Sequence, residues 1–502
     1  MEITQKAVAV RVLENGVLET ECPIDGDFML PDYCPDIAAV LKCTLTPAVL
    51  SRRQNGDKLL VEGQACLRVL YVDDERKKLQ CFEGVLPFGC SIACRDVASM
   101  LPYVQMRLNY LNCHAVSSRR IDVHGALTAV CHSDTLQQMQ VLCELNGEGV
   151  HTRTASVCCA VPLGVAEKNF TISETVEIDS NKPVPERVLR TACCPMITSV
   201  KQLTDKAIVK GDVQVVTLYA TEDGITCQTQ QTFPFSQILE LEGLDESHLC
   251  TVHTDVIACD VQVASEEAGM GRSFAVAVKL CLRMRAVSNV TTPVLTDAYT
   301  SKYPVKTTCK QLTAEELLFT KQHTSTLKEV LDLPGEDVAE ILDLWCDVIA
   351  VNVRQEAENT YADGRLQICM PVRDREGRIT YYEHTGDFTL QFEEACDRMT
   401  VDVKVCDTDY AVVGGKIEIC MQLSVSREGY AQKICDMLQQ FEVSGDPYPE
   451  EQAALRLCRV QKGASLWELA KAHHTDMQAL MEENCLDCEC VQQDCMLTVP
   501  LC

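Results

Sequence analysis

The first 440 residues of this chain repeat one pattern three times. A segment around Gly211 aligns without a gap with a segment around Gly364, and the same offset of 153 residues pairs Phe235 with Phe388. An earlier copy around Gly63 closes with Leu-Pro-Phe, as the copy around Gly211 closes with Phe-Pro-Phe. Solenoid repeats have periods of only roughly 20–50 residues, much shorter than these copies. The repeat therefore predicts three tandem domains, at 1–150, 151–305 and 306–440.

Inside each copy, apolar and polar residues alternate over short segments such as 59–71 and 213–219. Alternation of this kind, rich in β-branched residues, is typical of half-buried strands. Three dipeptides of the two-residue hairpin type separate some of these segments: Asp223-Gly224, Asp363-Gly364 and Glu376-Gly377. We therefore expect a mainly β protein, with one antiparallel β-sandwich or barrel in each copy.

Each copy also has a proline–acid element upstream of its repeated glycine. These elements are Pro31-Asp32 with Pro35-Asp36, Pro185-Glu186, and Pro334 shortly before Glu336. A short apolar stretch with helical spacing follows each element, for example Ile37, Val40 and Leu41, and predicts one short helix per copy. The acidic residues fit turn and N-cap chemistry around proline, and a partner-docking loop is the alternative.

The last residues, 455–502, form a separate pattern of strand, helix, helix and strand. Ser465 lies three residues before Glu468 and predicts a capping box at the start of the first helix. Thr475 and Gln478 repeat that spacing for the second helix, and Asn484 stands where a left-handed C-cap is expected. A polar segment containing prolines, 441–454, predicts a linker. We therefore expect a small βααβ domain at 455–502.

No sequence motif of an enzyme is present. The chain has no His-Glu-x-x-His, Gly-x-Ser-x-Gly, Walker or kinase signature, so neither catalysis nor a cofactor is expected. Its net charge of −28 argues against a nucleic-acid partner, because phosphate binding needs clustered cations. There is no apolar run of spanning length and no signal-peptide pattern at the N-terminus, which predicts a cytosolic protein without membrane insertion.

Cysteine is unusually frequent, with 31 residues. Cys66, Cys369 and Cys420 lie in alternating apolar stretches, where cysteine packs as a small hydrophobic residue. We expect mostly reduced thiols, with later cross-linking of a mature assembly as the alternative. One cluster has ligand-like spacing: Cys485, Cys488, Cys490 and Cys495. It is compatible with a zinc or iron–sulfur site, with a redox-active or cross-linking tail, or with no role at all.

The C-terminal pattern resembles a LysM domain, a module known for binding polymers that contain N-acetylglucosamine. The resemblance implies a groove formed by the loops on either side of the two helices. The corresponding residues are Gly463, Ala464, Ser465, Leu466, Trp467, Asn484 and Leu486. Ala464 replaces the aspartate of most LysM domains. Trp467 has two interpretations: a platform for stacking on sugar, or a core residue beside the apolar helix face.

The first copy resembles the SPOCS domain of clostridial sporulation proteins, at its Pro-Asp element, at Gly63 with Tyr71, and at Phe88. The second copy retains Tyr219, whereas the third has Val372 at that place. Repeated SPOCS domains before a LysM domain are similar to clostridial spore-coat morphogenetic proteins. The resemblance implies a non-enzymatic adaptor in the mother-cell cytoplasm. It would bind the ATPase of the coat basement layer at the forespore surface. The alternative is a protein that binds peptidoglycan of the cell wall or spore cortex.

Overall fold

Antiparallel strands make up most of the computed structural model, which describes residues 3–93, 102–264, 272–333, 335, 338–356, 359–449 and 455–500. The described helices are two short ones near the C-terminal end. The mainly β expectation is therefore confirmed. Pro334, Glu336 and part of the predicted linker lie outside the described residues.

The strands form three successive groups, which we call the first, second and third units. The first unit contains β1 (Thr4–Met29), β2 (Ile37–Asn55), β3 (Lys58–Asp73), β4 (Leu79–Ala93), β5 (Tyr103–Ser117) and β6 (Arg120–Asn146). The second contains β7 (Val150–Glu177), β8 (Arg187–Leu203), β9 (Lys206–Ala220), β10 (Thr226–Glu240), β11 (Leu249–Val263) and β12 (Ser273–Thr300). The third contains β13 (Val305–Asp332), β14 (Val338–Ile341), β15 (Trp345–Glu356), β16 (Asn359–Asp374), β17 (Ile379–Phe392), β18 (Arg398–Val413) and β19 (Lys416–Val443).

All three units have the same strand order in two packed antiparallel sheets. In one sheet the last strand of the unit lies between the first strand and the strand before it, giving β1-β6-β5, β7-β12-β11 and β13-β19-β18. The other sheets are β2-β3-β4, β8-β9-β10 and β15-β16-β17. In the third unit β14 and β15 both pair with β16, so together they occupy the place that β2 occupies alone in the first unit.

The repeated glycines and phenylalanines are directly opposed on neighbouring strands. Gly63 pairs with Phe88, Gly211 with Phe235 and Gly364 with Phe388. A Cβ atom on Gly364 would lie 2.1 Å from the Phe388 ring, so the ring needs a residue without a side chain beneath it. The hairpin predicted at Asp363-Gly364 is therefore wrong: both residues lie inside β16, and Gly364 is there to admit the aromatic ring.

The helix predicted after each proline–acid element is also wrong. Ile37 opens β2, Val188 lies at the start of β8, and Val338 opens β14. Each of these strand starts contains a β-bulge, for example between Ile37 and Ala39 and between Val188 and Arg190. A bulge inserts one extra residue into the strand, so the inward-facing residues on either side of it are three positions apart instead of two. This spacing resembles that of a helix face.

The cysteine prediction holds for one of three residues. Cys369 is buried, whereas Cys66 and Cys420 are exposed. Cys66 stands between two fully buried neighbours on β3, so it faces outward on that strand. An alternating pattern predicts a strand, but it does not show which face is buried when both faces carry apolar residues. The structure also places a disulfide between buried Cys194 and Cys406, which joins the second and third units.

Each unit has a hydrophobic core of its own, and further clusters join the three units. One cluster takes a leucine from each long terminal strand, namely Leu142 of β6, Leu295 of β12 and Leu438 of β19. A second cluster joins the other sheets of the three units, with Leu79, Leu218 and Ile379 among its members. The units also meet in a buried ion pair, in which the Arg190 guanidinium lies 2.6 Å from the Asp343 carboxylate. The repeats are therefore packed together rather than strung out.

Candidate functional site

The C-terminal module has the predicted order of elements: β20 (Leu455–Val460), α1 (Leu466–Ala472), α2 (Met477–Glu483) and β21 (Cys495–Pro500). The two strands pair antiparallel, and both helices pack on one face of that sheet. Ser465 is the N-cap of α1, where its hydroxyl accepts from the Glu468 amide as predicted. The N-cap of α2 is Asp476, not Thr475. The Thr475 hydroxyl instead donates to the Pro500 carbonyl at 2.6 Å and ties α2 to β21.

The two loops predicted to form the groove are hydrogen-bonded to each other. The Gly463 amide donates to the Val491 carbonyl at 2.7 Å, and the Val491 amide donates to Ala464 at 3.0 Å. The Leu466 amide donates to the Glu489 carbonyl, and Ser465 forms a β-bridge with Cys490. Gly463 has a φ of +87°, a left-handed conformation that favours glycine. The structure therefore brings the two loops together, and backbone contacts fix the distance between them.

Leu466 and Trp467 lie in the core of the module. Leu466 is fully buried and Trp467 is 4% exposed. The Trp467 indole also makes contacts outside the module: its Nε1–H donates to Asp297 of β12 at 2.8 Å, and its ring meets Tyr299 edge-on at 5.0 Å. The structure therefore agrees with the core interpretation of Trp467, whose ring packs at the seam between the module and the second unit.

Asp297 is the centre of that seam. Besides Trp467, its carboxylate accepts from the Lys471 ammonium at 2.8 Å and 2.7 Å, so one acid fixes two side chains of α1. The Tyr299 hydroxyl donates to the Thr475 carbonyl at 2.8 Å in a buried contact. These contacts set the orientation of α1 on the second unit, because they fix both ends of the helix.

Two aromatic contacts extend the seam. His151 of β7 stacks on Tyr299 at 4.9 Å and lies 3.7 Å from the Asp476 carboxylate. Burial lowers the pKa of His151, and the nearby carboxylate only partly offsets this effect. Tyr448, in the predicted linker, stacks on His474 at 3.7 Å, and its amide donates to the Lys302 carbonyl. The described part of that segment is therefore packed against the second unit and the module.

Asn484 and Leu486 have structural contacts. The Asn484 side chain donates to the Leu480 and Thr498 carbonyls and accepts from the Thr498 amide, all within 2.8 Å. It is the C-cap of α2 with a φ of −105°, and the left-handed residue is Cys485, one position later than predicted. Leu486 packs on the module core. Both residues thus hold the second loop in place.

The cysteine cluster of the second loop does not converge. Cys485 and Cys490 are exposed, and the Cys488 thiol donates to the Cys490 carbonyl at 3.0 Å. Cys495 starts β21 and is partly buried. Within the described ranges, no three His, Cys, Asp or Glu side chains lie close enough together to hold a metal ion.

The proline–acid loop of the first unit is held by Arg119, in the turn between β5 and β6. Its guanidinium donates to the carbonyls of Leu30, Pro31 and Cys34 and to the Asp36 carboxylate at 2.7 Å. The hydrogen bond from Arg119 lowers the pKa of Asp36. Asp36 therefore has a structural contact, as turn chemistry predicts.

The second unit repeats this loop anchor. Arg272, directly before β12, donates to the carbonyls of Ser180 and Lys182. The repeated tyrosines make equivalent bonds: Tyr71 donates to the Pro35 carbonyl at 3.2 Å, and Tyr219 to the Pro183 carbonyl at 3.0 Å. The arginine and the tyrosine together fix the loop that leads into the next strand.

Neither the tyrosine nor the arginine is present at the equivalent positions of the third unit. Val372 replaces the tyrosine, and Gly414-Gly415 forms the turn where the first two units have arginine. The Gly415 carbonyl still accepts from the Leu333 amide, as the Arg119 carbonyl accepts from Leu30. This backbone hydrogen bond is therefore retained in the third unit, although the arginine and tyrosine are replaced.

Family models recognise the parts of the chain that carry these features. The model described as "SipL, SPOCS domain" matches residues 36–116 and 185–264, in the first and second units. The LysM domain model matches residues 458–492. The chain combines SPOCS domains with a LysM domain. No curated protein and no solved structure matches it significantly.

The SPOCS matches lie within the two units in which tyrosine and arginine anchor the proline–acid loop. The third unit has the same strand order without a match, in line with its altered loop. SPOCS and LysM are non-catalytic families, and together they suggest a sporulation protein associated with the coat. None of the helices that the structure describes has the length and hydropathy of a membrane span.

Asp297 and Tyr299 could not be recognised as interface residues from the sequence. Both lie near the end of the long strand β12, where they look like ordinary members of an alternating pattern. Their role depends on the LysM domain packing beside the second unit, more than 150 residues later in the chain. The only local signal is the tryptophan itself, whose indole N–H requires an acceptor when it is buried.

Proposed function

We propose that this protein is a non-enzymatic adaptor of spore coat assembly. In this proposal it binds a protein of the coat basement layer at the forespore surface, from the mother-cell cytoplasm. The observation that carries the proposal is the fixed seam between the LysM domain and the second SPOCS unit, centred on Asp297 and Trp467. A fixed seam presents LysM and SPOCS residues as one continuous surface, which suits recognition of a folded protein.

The burial and the hydrogen bonds of the predicted LysM groove residues support a protein partner over a glycan. Trp467 is buried and hydrogen-bonded to Asp297, so its ring is not available to stack on sugar. Asn484 directs its amide to the backbone of the module, not to solvent. The exposed residues of the groove loops include Gly463, Cys485, Asp487, Glu489 and Cys490. The resemblance names the ATPase of the basement layer as the expected partner.

Localisation and capture together test this proposal. A fluorescent fusion of the full chain, imaged in sporulating cells, is expected to form a ring around the forespore. Affinity purification from the same cells is expected to recover a basement-layer ATPase. Asp297→Ala should weaken that recovery if the combined surface is the binding site. Diffuse fluorescence together with recovery of no coat protein would refute the adaptor function.

Peptidoglycan binding is the second candidate, because the LysM match itself points to it. Sedimentation of the full chain with purified murein measures this directly. Pelleting that N-acetylglucosamine oligomers compete away would favour the glycan function over the adaptor. Under the adaptor proposal, the chain stays in the supernatant at murein concentrations that pellet a known LysM protein.

A further inference from the structure

Four cysteines lie in two pairs on facing strands of the first and second units. In the first unit the Cys43 thiol of β2 is in hydrogen-bond contact with the Cys113 thiol of β5. In the second unit the Cys193 thiol of β8 makes the same contact with the Cys259 thiol of β11. The strands β8 and β11 are the counterparts of β2 and β5, so the pair recurs on the same two strands of the fold. The adaptor function uses neither pair.

Each pair lies at an edge where no strand ladder joins the two sheets of a unit. The strands β2 and β5 are edge strands of different sheets, and the same holds for β8 and β11. Cα atoms of the two facing strands nevertheless approach within 8 Å of each other. A disulfide bond spans Cα atoms about 4.4–6.8 Å apart, so strands this close can carry one where two thiols meet. A bond at this edge would tie the two sheets of a unit together.

The four side chains are held in place without being sealed from solvent. Cys43 and Cys113 pack against the core of the first unit, and Cys193 and Cys259 pack against the core of the second. All four are only partly buried. Packing therefore keeps each thiol beside its partner, while a small reagent in water can still reach the pair.

The thiol–thiol contacts also prepare one residue of each pair for reaction. The hydrogen bond from Cys43 lowers the pKa of Cys113, and the hydrogen bond from Cys193 lowers the pKa of Cys259. The thiolate, not the thiol, is the nucleophile in disulfide exchange. Cys113 and Cys259 are therefore the residues that attack first.

A third contact, between Cys22 of β1 and Cys90 of β4, provides an internal comparison. Cys22 is 1% exposed, and burial raises its pKa. Burial also raises the pKa of Cys90 to about 11. Neither thiol of this pair is activated, so we expect it to stay reduced while the other two pairs react.

We propose that Cys43 with Cys113, and Cys193 with Cys259, are sites of reversible disulfide formation that lock together the two sheets of their units. The oxidant is a small-molecule disulfide. The site belongs to the folded chain itself, so these bonds form within one molecule and not between molecules.

The reaction takes two steps, shown here for the first unit. The Cys113 thiolate attacks one sulfur of the oxidant, which breaks its S–S bond and releases one small thiolate. The Cys43 thiolate then attacks the Cys113 sulfur of this mixed disulfide and releases the second small thiolate. The two protons lost by the protein thiols are taken up by the released thiolates. One protein disulfide is gained for each small disulfide that is reduced.

The test uses the full chain and glutathione disulfide as the probe. The folded chain is incubated with the probe, free thiols are blocked with N-ethylmaleimide in denaturant, and linked peptides are mapped by mass spectrometry. We expect a link between Cys43 and Cys113 to form at least about tenfold faster than one between Cys22 and Cys90. Dithiothreitol should reverse the new link.

The unfolding midpoint measures whether the bonds hold the sheets together. Each bond closes a loop of about 70 residues. Long loops are restricted most strongly in the unfolded chain, so the oxidised chain should unfold about 5 °C above the reduced chain. An equal midpoint for the oxidised and reduced chains would overturn the locking role.

Three variants assign the links. Cys113→Ser should leave Cys43 as a thiol or as a mixed disulfide with glutathione. Cys259→Ser should remove the link of the second unit and leave the disulfide between Cys194 and Cys406 in place, which matters because Cys193 and Cys194 are adjacent. Cys420→Ser, an exposed cysteine of β19, is the matched control and should form both links as wild type does.

The wild-type peptide map decides the question even if a serine variant folds poorly. The proposal is overturned for any pair whose two cysteines are recovered as separate mixed disulfides or as blocked thiols. A link from Cys259 to Cys66, which lies close enough for their charges to interact, would equally overturn the assignment of the second pair.

Discussion

Replacing Asp297 by alanine should weaken the contact between the LysM domain and the second unit. The substitution leaves the buried Trp467 N–H without its acceptor, which costs about 1–3 kcal/mol. It also removes the ion pair with Lys471, whose side chain is 36% exposed, so that term is discounted to about 0.5 kcal/mol. We therefore expect the module to lose about 2–3 kcal/mol of stability. Asp297→Asn keeps an acceptor for Trp467 and should lose about 1 kcal/mol or less.

Hydrogen–deuterium exchange of the full chain measures this effect at the module itself. The α1 amides of Leu469 and His473 are hydrogen-bonded inside the helix and exchange only when the module opens. A loss of 2–3 kcal/mol should speed their exchange roughly 30- to 150-fold. Asp223→Ala, an exposed acid between β9 and β10, is the matched control and should leave exchange unchanged. Equal exchange in Asp297→Ala and Asp223→Ala would mean that the seam does not stabilise the module.

Two further substitutions test the packing and the charges of the units. In Gly211→Ala the new Cβ would lie 2.3 Å from a backbone carbonyl and 2.5 Å from the Phe235 ring, so chemical denaturation should show a loss of about 1–3 kcal/mol. Gly89→Ala, whose nearest neighbour would be 3.8 Å away, should change stability by less than about 0.5 kcal/mol; equal losses would contradict the packing argument. Burial alone would raise the pKa of Glu428, but Arg285 and its hydrogen bonds lower it from 4.5 to about 2. The lowered pKa stabilises the fold fully at pH values above the ordinary glutamate pKa of 4.5. This contribution should therefore fade as the pH falls from about 4.5 towards 2. Wild type should thus lose on the order of 3 kcal/mol more than Glu428→Gln over that range, and parallel pH curves would refute the assignment.

The repeat was readable from the sequence because the same chemistry recurs at the same places. Gly63 and Phe88 recur as Gly211 with Phe235, and the structure gives the reason, since each ring lies over its glycine. What the pattern could not supply was the local geometry around bulges. Ile37 and Val40 have helical spacing only because a bulged strand shifts its inward face.

The helices and strands of the C-terminal module could be predicted from the sequence, but its packing against the second unit could not. Ser465 caps α1 as expected, because capping depends on residues a few positions apart. The spacing of Thr475 and Gln478 predicts Thr475 as the N-cap of α2, but the N-cap is Asp476. An aspartate one residue later competes for the same backbone amides. The contact of Trp467 with Asp297 depends on tertiary packing and has no local pattern that could announce it.

The shared clusters of Leu142, Leu295 and Leu438 have a consequence for how this protein can be divided. Here each long strand also contributes to clusters that all three units share, so removal of one unit exposes apolar residues of the other two to water. The third unit has to keep its apolar strands to complete those clusters, even though its loop has lost the tyrosine and arginine of the other two.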